Sequence, residues 1–189
     1  MKLLLASNSP RRRELLSLLD VDYEIIKPRP VDEIYPADLG AAEVAPYLSA
    51  LKARAYADVP SEGEVLVTAD TVVICDGRIL GKPADEHEAV EMLSRLSGRT
   101  HQVVTGVTLM TPTQTVTFSE TTDVTFDNLS PEIIARYVER YRPYDKAGAY
   151  GIQEWIGCIG IRRIEGCYYN VMGLPLHTLY HHLSQLRKS

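Results

Sequence analysis

Residues 6 to 13 read Ala-Ser-Asn-Ser-Pro-Arg-Arg-Arg, which sets two hydroxyls, a proline and three guanidinium groups between an apolar run and a leucine-rich pattern. A strand feeding a helix there exposes backbone N–H groups and the positive end of the helix dipole, a natural place for phosphate. Ser7 and Ser9 can add hydroxyl donors, and Arg11 and Arg12 can grip phosphate oxygens bidentately. The same residues would also make a capped surface helix with solvated arginines, and residue types alone leave both readings open. Asp70, in "TADTVV", reads as the end of an apolar strand with Thr71 beside it. A carboxylate so placed can hold a divalent ion or take a proton from water, or it can simply end the strand. Lys52, Lys82 and Glu33 are single charges that read equally well as solvated surface groups. "DKAGAYGIQ" offers small residues that let backbone approach a ligand. Gln153, at its end, carries the donor and acceptor needed to read a nucleobase edge, although the segment could also be an ordinary tight connection. His177 and His181 stand four apart, yet no carboxylate motif accompanies them, and an exposed helical face is the simpler reading.

These groups need elements to hold them. "KLLLA" has the pattern of a buried strand and "RRRELLSLL" that of a helix, with Ser9 as cap and Pro10 at the first position. "YEIIK" is a second strand, followed by a proline-rich loop carrying Glu33. "AAEVAPYLSALKARAYADV" predicts a helix with Pro46 in its first turn or at a kink. "EVLVTAD" and "TVVIC" read as two strands, and Asp76-Gly77 as a hairpin turn into "RILGKP". An amphipathic helix over "ADEHEAVEMLSRLSG" stops at Gly98. "HQVVTGVTLMT" and "TVTFSETTDVTF" alternate about a Pro-Thr-Gln turn, as a long hairpin does. "SPEIIARYVERY" is helical, "CIGIRRIEG" reads as a strand, and "LPLHTLYHHLSQLRKS" as a closing helix. Helices alternating with strands around a long hairpin predict an α/β fold on a mixed sheet.

Composition narrows the class. With 45% hydrophobic and 24% charged residues, the 189-residue chain can bury a proper core. A formal net charge of −5 argues against bulk binding to nucleic acid or an anionic membrane, so an anion site must be built locally. Cys75, Cys158 and Cys167 form no C-x-x-C pair and suggest no disulfide framework. No apolar run is long enough to cross a bilayer, which predicts a cytosolic protein.

Together, "LASNSPRRRELL", "ADTVV", "ILGKP", "LSGRTHQVVTGV", "DKAGAYGIQ" and "GCYYNVMGLPL" resemble the Maf, or septum-formation-inhibitor, family over essentially the whole chain. The resemblance implies a single Maf-like domain over residues 1–189. It also implies a nucleoside triphosphate pyrophosphatase that yields a monophosphate and pyrophosphate. The implied fold is like that of inosine triphosphate pyrophosphatases: a long twisted mixed sheet flanked by helices, with two lobes around a cleft. Asp70 would be the proton acceptor, and Arg11, Thr71 and Gln153 mark the subgroup acting on dTTP and UTP. Ser9, Arg11, Arg12, Lys52 and Lys82 would face the triphosphate, while Glu33 and Asp70 would hold Mg²⁺ or Mn²⁺. A homodimer is implied as well. Alternatives are a preference for 7-methyl-GTP or for modified pyrimidine nucleotides, or a nucleotide-binding regulator of division or cell shape. Two departures stand out: Cys167 where serine is common, and Glu154-Trp155 where glycine-rich sequence is frequent, both expected to touch only the rim of the pocket.

Overall fold

The computed structural model describes residues 1–186; the last three residues of the expected closing helix lie outside them. Seven strands form one mixed sheet in the order β2-β1-β3-β5-β6-β7, with β4 also paired to β3. β1 (Lys2–Leu5) runs parallel to both β2 (Tyr23–Ile25) and β3 (Glu64–Cys75), with Leu3 opposite Tyr23 and Val65. β4 (Arg78–Leu80) returns antiparallel on β3 through Asp76 and Gly77, both at positive φ as the hairpin turn requires. β5 (Thr100–Met110) and β6 (Thr115–Phe126) are neighbours joined by a turn in which the Thr111 N–H donates to Gln114 O at 2.8 Å. β7 (Ile161–Glu165) is antiparallel to β6.

The helices are α1 (Pro10–Ser17), α2 (Ala41–Arg54), α3 (Glu86–Leu96), α4 (Pro131–Tyr141), α5 (Trp155–Gly160), α6 (Tyr168–Met172) and α7 (Leu176–Leu186). None of the described helices is long and apolar enough to cross a membrane. Caps follow the sequence: Ser9, Asp85 and Ser130 each accept from a first-turn backbone N–H, and Pro10 and Pro131 sit where no N–H is needed.

Three expectations change. "EVLVTAD" and "TVVIC" form one twelve-residue strand, so Asp70 stands inside β3 and not at a strand end. Within that strand, buried Thr68 donates its hydroxyl to Ser49 O at 2.8 Å. Pro46 is the sixth residue of α2, past the first turn. Gly106 faces it: a Cβ there would lie 2.2 Å from Pro46 N and 2.4 Å from the Ala45 carbonyl carbon. Only bare backbone permits that approach. Finally, "CIG" ends helix α5, and the strand begins at Ile161.

The chain resolves into two compact units, one of Met1–Asp70, Thr105–Glu120 and Gly173–Ser189, the other of Thr71–Val104 and Thr121–Met172. The first has a core that includes Leu3, Leu5, Leu16, Val67, Val107 and Leu179. Leu176, Leu179 and Leu183 of α7 are all buried, which makes them core residues. The second unit centres on Leu93, Leu96, Phe126, Tyr137 and Ile156, with α3 packed on α4.

Candidate active site

In the first unit, Lys52 sits in the last turn of α2, where an ammonium complements the helix dipole. Its Nζ lies 2.5 Å from Asp70 Oδ1 and 3.1 Å from Glu33 Oε1. Asp70 is mostly buried, with 13% of its side chain exposed, whereas Glu33 is about half exposed. The proline-rich loop that carries Glu33 is pinned to the end of α2. The Arg29 guanidinium pairs with Asp58 at 2.6 Å, donates to Ala55 O at 2.6 Å and lies over the Tyr56 ring. Its backbone N–H donates to the Tyr56 hydroxyl. Three residues distant in sequence therefore meet as carboxylate, ammonium and carboxylate.

The opening motif is arranged differently from a row of outward arginines. Ser9 Oγ accepts from Arg12 N–H at 3.4 Å, Ser9 O from Arg13 N–H at 3.4 Å, and Ser7 Oγ from Ser9 N–H at 3.1 Å. Pro10 has no N–H, so several groups expected to greet an anion are already used within the chain. Arg12 is half-buried: its Nε donates to Gly173 O and its Nη1 to Ala69 O, both at 2.9 Å. Neither β1, which pairs as far as Val67, nor β4, which starts pairing at Val73, reaches Ala69. Burial draws the Arg12 guanidinium below its ordinary value, and the Asp70 charge opposes that pull. Arg12 is thus fastened into the first unit beside Asp70, and Arg13 donates to Ser7 O at 3.3 Å. Nothing in the sequence distinguishes Arg12 from Arg11 or Arg13, because the acceptors are backbone carbonyls far along the chain.

The second unit holds Thr71, Lys82 and Gln153. Lys82 and Gln153 are exposed, and Thr71 is partly so. The segment before Lys82 meets the "AGAYG" loop through Gly148 N–H to Gly81 O at 3.0 Å. Gly148 adopts φ 70°, and a Cβ there would press on Val73 at 2.9 Å. Ala149 follows at φ 60°, a conformation that costs a non-glycine residue about 1–2 kcal/mol. The sequence did not mark buried Lys146, which contacts Glu154 at 3.2 Å, or Tyr137, whose hydroxyl donates to the Glu154 carboxylate. On α7, His177 and His181 bring their Nε2 atoms to 3.2 Å, without a third acid, cysteine or histidine ligand among the described residues.

The donor set bears on the metal question. Glu33 and Asp70 supply hard oxygens, and no cluster of three acidic, histidine or cysteine ligands exists among the described residues. Two carboxylates suit a cation that keeps part of its water shell and shares phosphate oxygens, as Mg²⁺ does.

Fold and cluster define the class: a mixed-sheet α/β protein with an acid–lysine–acid centre. The chain belongs to the Maf-like protein family, whose sequence model matches residues 2–186. It is 54% identical to a dTTP/UTP pyrophosphatase of Bacteroides thetaiotaomicron over 98% of this chain and 96% of that one. A dTTP/UTP pyrophosphatase of Porphyromonas gingivalis is 55% identical over 100% and 96% of the two chains. One of Flavobacterium johnsoniae is 46% identical over 98% and 95%. Among solved structures, the Staphylococcus aureus Ham1 protein aligns with a TM-score of 0.48 at 18% identity, covering 67% of this chain and 72% of that one.

Proposed function

We propose that this chain is a nucleoside triphosphate pyrophosphatase acting on dTTP and UTP, releasing the monophosphate and pyrophosphate. The observation that carries this reading is full-length identity of 54–55% to relatives of that name. The 2.5 Å contact between Asp70 and Lys52 supports this reading. Asp70 accepts a proton from the water that attacks the α-phosphorus. The bond from that phosphorus to the bridging oxygen breaks, and pyrophosphate leaves with the electron pair. Lys52 holds Asp70 in position. Arg11 and Lys82 clamp phosphate oxygens, Ser9 adds a hydroxyl, and Arg12 contributes its charge from a fixed place. Thr71 and Gln153 read the base. When bound, Mg²⁺ or Mn²⁺ would be held by Glu33 and Asp70 together with phosphate oxygens, and would neutralise phosphate charge. The protein works as a cytoplasmic homodimer in this reading, which light scattering of the purified chain checks.

The test is pyrophosphate release from dTTP, UTP, CTP, GTP, ATP and 7-methyl-GTP with Mg²⁺ or Mn²⁺, with Asp70→Asn in parallel. Release from dTTP and UTP that is lost in the variant is the expected result. Nucleotide binding with no release from any substrate would refute the proposal and favour a regulator.

A further inference from the structure

The turn that carries Gln153 is tied down by a polar network that lies entirely within the second unit. Glu154 N–H donates to Gly151 O at 3.0 Å, closing a four-residue turn in which Gln153 is third. Gly151 N–H donates to the Tyr137 hydroxyl at 3.0 Å, and that hydroxyl donates to the Glu154 carboxylate. The other carboxylate oxygen lies 3.2 Å from Lys146 Nζ, and Lys146 also pairs with Asp145 at 2.7 Å. Gly151 has no Cβ, and one placed there would sit 2.8 Å from Glu154 Cδ. Gly151 and Ile152 are buried and Glu154 is half-buried, so Gln153 is the exposed side chain of the turn. Left-handed Ala149 lies in the same loop, a conformation that lasts only where its surroundings impose it.

We propose that Tyr137, Lys146 and Glu154 are positioning residues that fix the Gly151–Glu154 turn, and through it the direction from which Gln153 meets the pyrimidine. The inference rests on the reading of Gln153 as the base-reading side chain. A carboxamide discriminates between bases only when its oxygen and nitrogen are held in register with the complementary edge, since a loose amide can turn to suit either. Burial and the neighbouring Glu154 push the Tyr137 phenol upward, so it remains a donor over the working pH range. Glu154, which in the sequence is a departure at the rim, is the acceptor on which this network converges.

The experiment measures kcat/KM for UTP and GTP in Tyr137→Phe, Lys146→Met, Glu154→Gln and Gln153→Ala. A second readout is acrylamide quenching of Trp155, the one tryptophan of the chain, without nucleotide. Trp155 follows Glu154 directly and lies 4.9 Å beneath the Arg136 guanidinium. Tyr137→Phe removes one oxygen and keeps the ring that stacks on Tyr141, so it tests the network in a folded protein. Tyr137→Phe and Lys146→Met should each lower the UTP-to-GTP ratio about tenfold, the loss falling in KM for UTP. Both should also expose Trp155 to quencher, which Gln153→Ala should not. Glu154→Gln, which keeps an acceptor for the phenol, should retain more of the ratio than Lys146→Met. If Gln153→Ala collapses the ratio while Tyr137→Phe and Lys146→Met leave it intact, the positioning role is overturned and the base reading stands. If Gln153→Ala itself leaves the ratio unchanged, the base reading falls and takes the positioning role with it.

Discussion

Buried His101 gives the protein a pH dependence of calculable size. The ring is 1% exposed on β5, stacked on Phe126, with Nε2 2.7 Å from the Tyr150 hydroxyl. Its Nδ1 is buried with no hydrogen-bond partner among the described residues. A proton there would place a charge among apolar rings, and burial lowers the imidazole from 6.5 to about 4. The unfolded chain takes up this proton near pH 6.5 and the folded one only near 4, so the unfolded state binds more protons between those values. Stability therefore rises with pH across that window, is complete above it, and is lost as pH falls through it. At about 1.4 kcal/mol per tenfold difference in proton affinity, the whole effect is about 3 kcal/mol. The assay is urea denaturation at 25 °C from pH 7.5 to 4.5, comparing wild type with the double variant His101→Phe/Tyr150→Phe. That variant removes both polar partners together, leaves no orphaned donor, and should stay near wild-type stability at pH 7.5. Its stability should fall less than that of wild type on acidification, by about 2–3 kcal/mol at pH 4.5. Carboxylate contributions common to both proteins cancel in the difference. Parallel curves would refute the argument.

Other substitutions test the site and its supports. Arg12→Met removes two charge-assisted bonds to carbonyls and should cost about 2–4 kcal/mol, seen as a lower melting temperature. Equal melting of Arg12→Met and wild type would show that the two bonds contribute nothing to the fold. Gly106→Ala drives a methyl into the α2 backbone at Pro46 and should cost about 3 kcal/mol or more, read by urea midpoint or by loss of soluble protein. Lys52→Met should lower kcat by about a hundred- to a thousandfold while circular dichroism stays unchanged, because Asp70 and Glu33 lose the cation between them. Activity within a few-fold of wild type would remove Lys52 from the mechanism.

Local signals in the sequence read well. Ser-Pro before α1 and α4, Asp-Gly at the β3–β4 turn and Gly98 after α3 act through their own backbone, so neighbouring residues suffice to place them. Long-range partners are a different matter. β3 runs on through Asp70, and buried Thr68 within it bonds to Ser49 of α2, a bond that no local pattern records. "CIG" carries the β-branched and small residues of a strand, yet Gly157 lets the chain turn over the Ile152 carbonyl, which a Cβ would approach to 1.9 Å, and α5 forms. Glu33, Lys52 and Asp70 are each legible as single charges, but their contacts depend on a loop pinned by Arg29 to Asp58. Tyr137 gave no signal, because on α4 it reads as one more apolar position.

The anchoring of Arg12 has a consequence for the newly made chain. Its Nε acceptor, Gly173 O, lies 161 residues downstream. A ribosome delivers the Arg-rich turn 161 residues before its partner carbonyl. The unit containing Asp70 draws on three separate stretches, the third starting at Gly173. Residues 1–70 must therefore wait, incomplete and with buried surface still open to solvent, until the stretch that starts at Gly173 has been made. A nascent chain halted before Gly173 would carry the arginines without their carbonyl and should be a ready client for chaperones and proteases, so assembly of the acid–lysine–acid site waits on residues made long after its own three members.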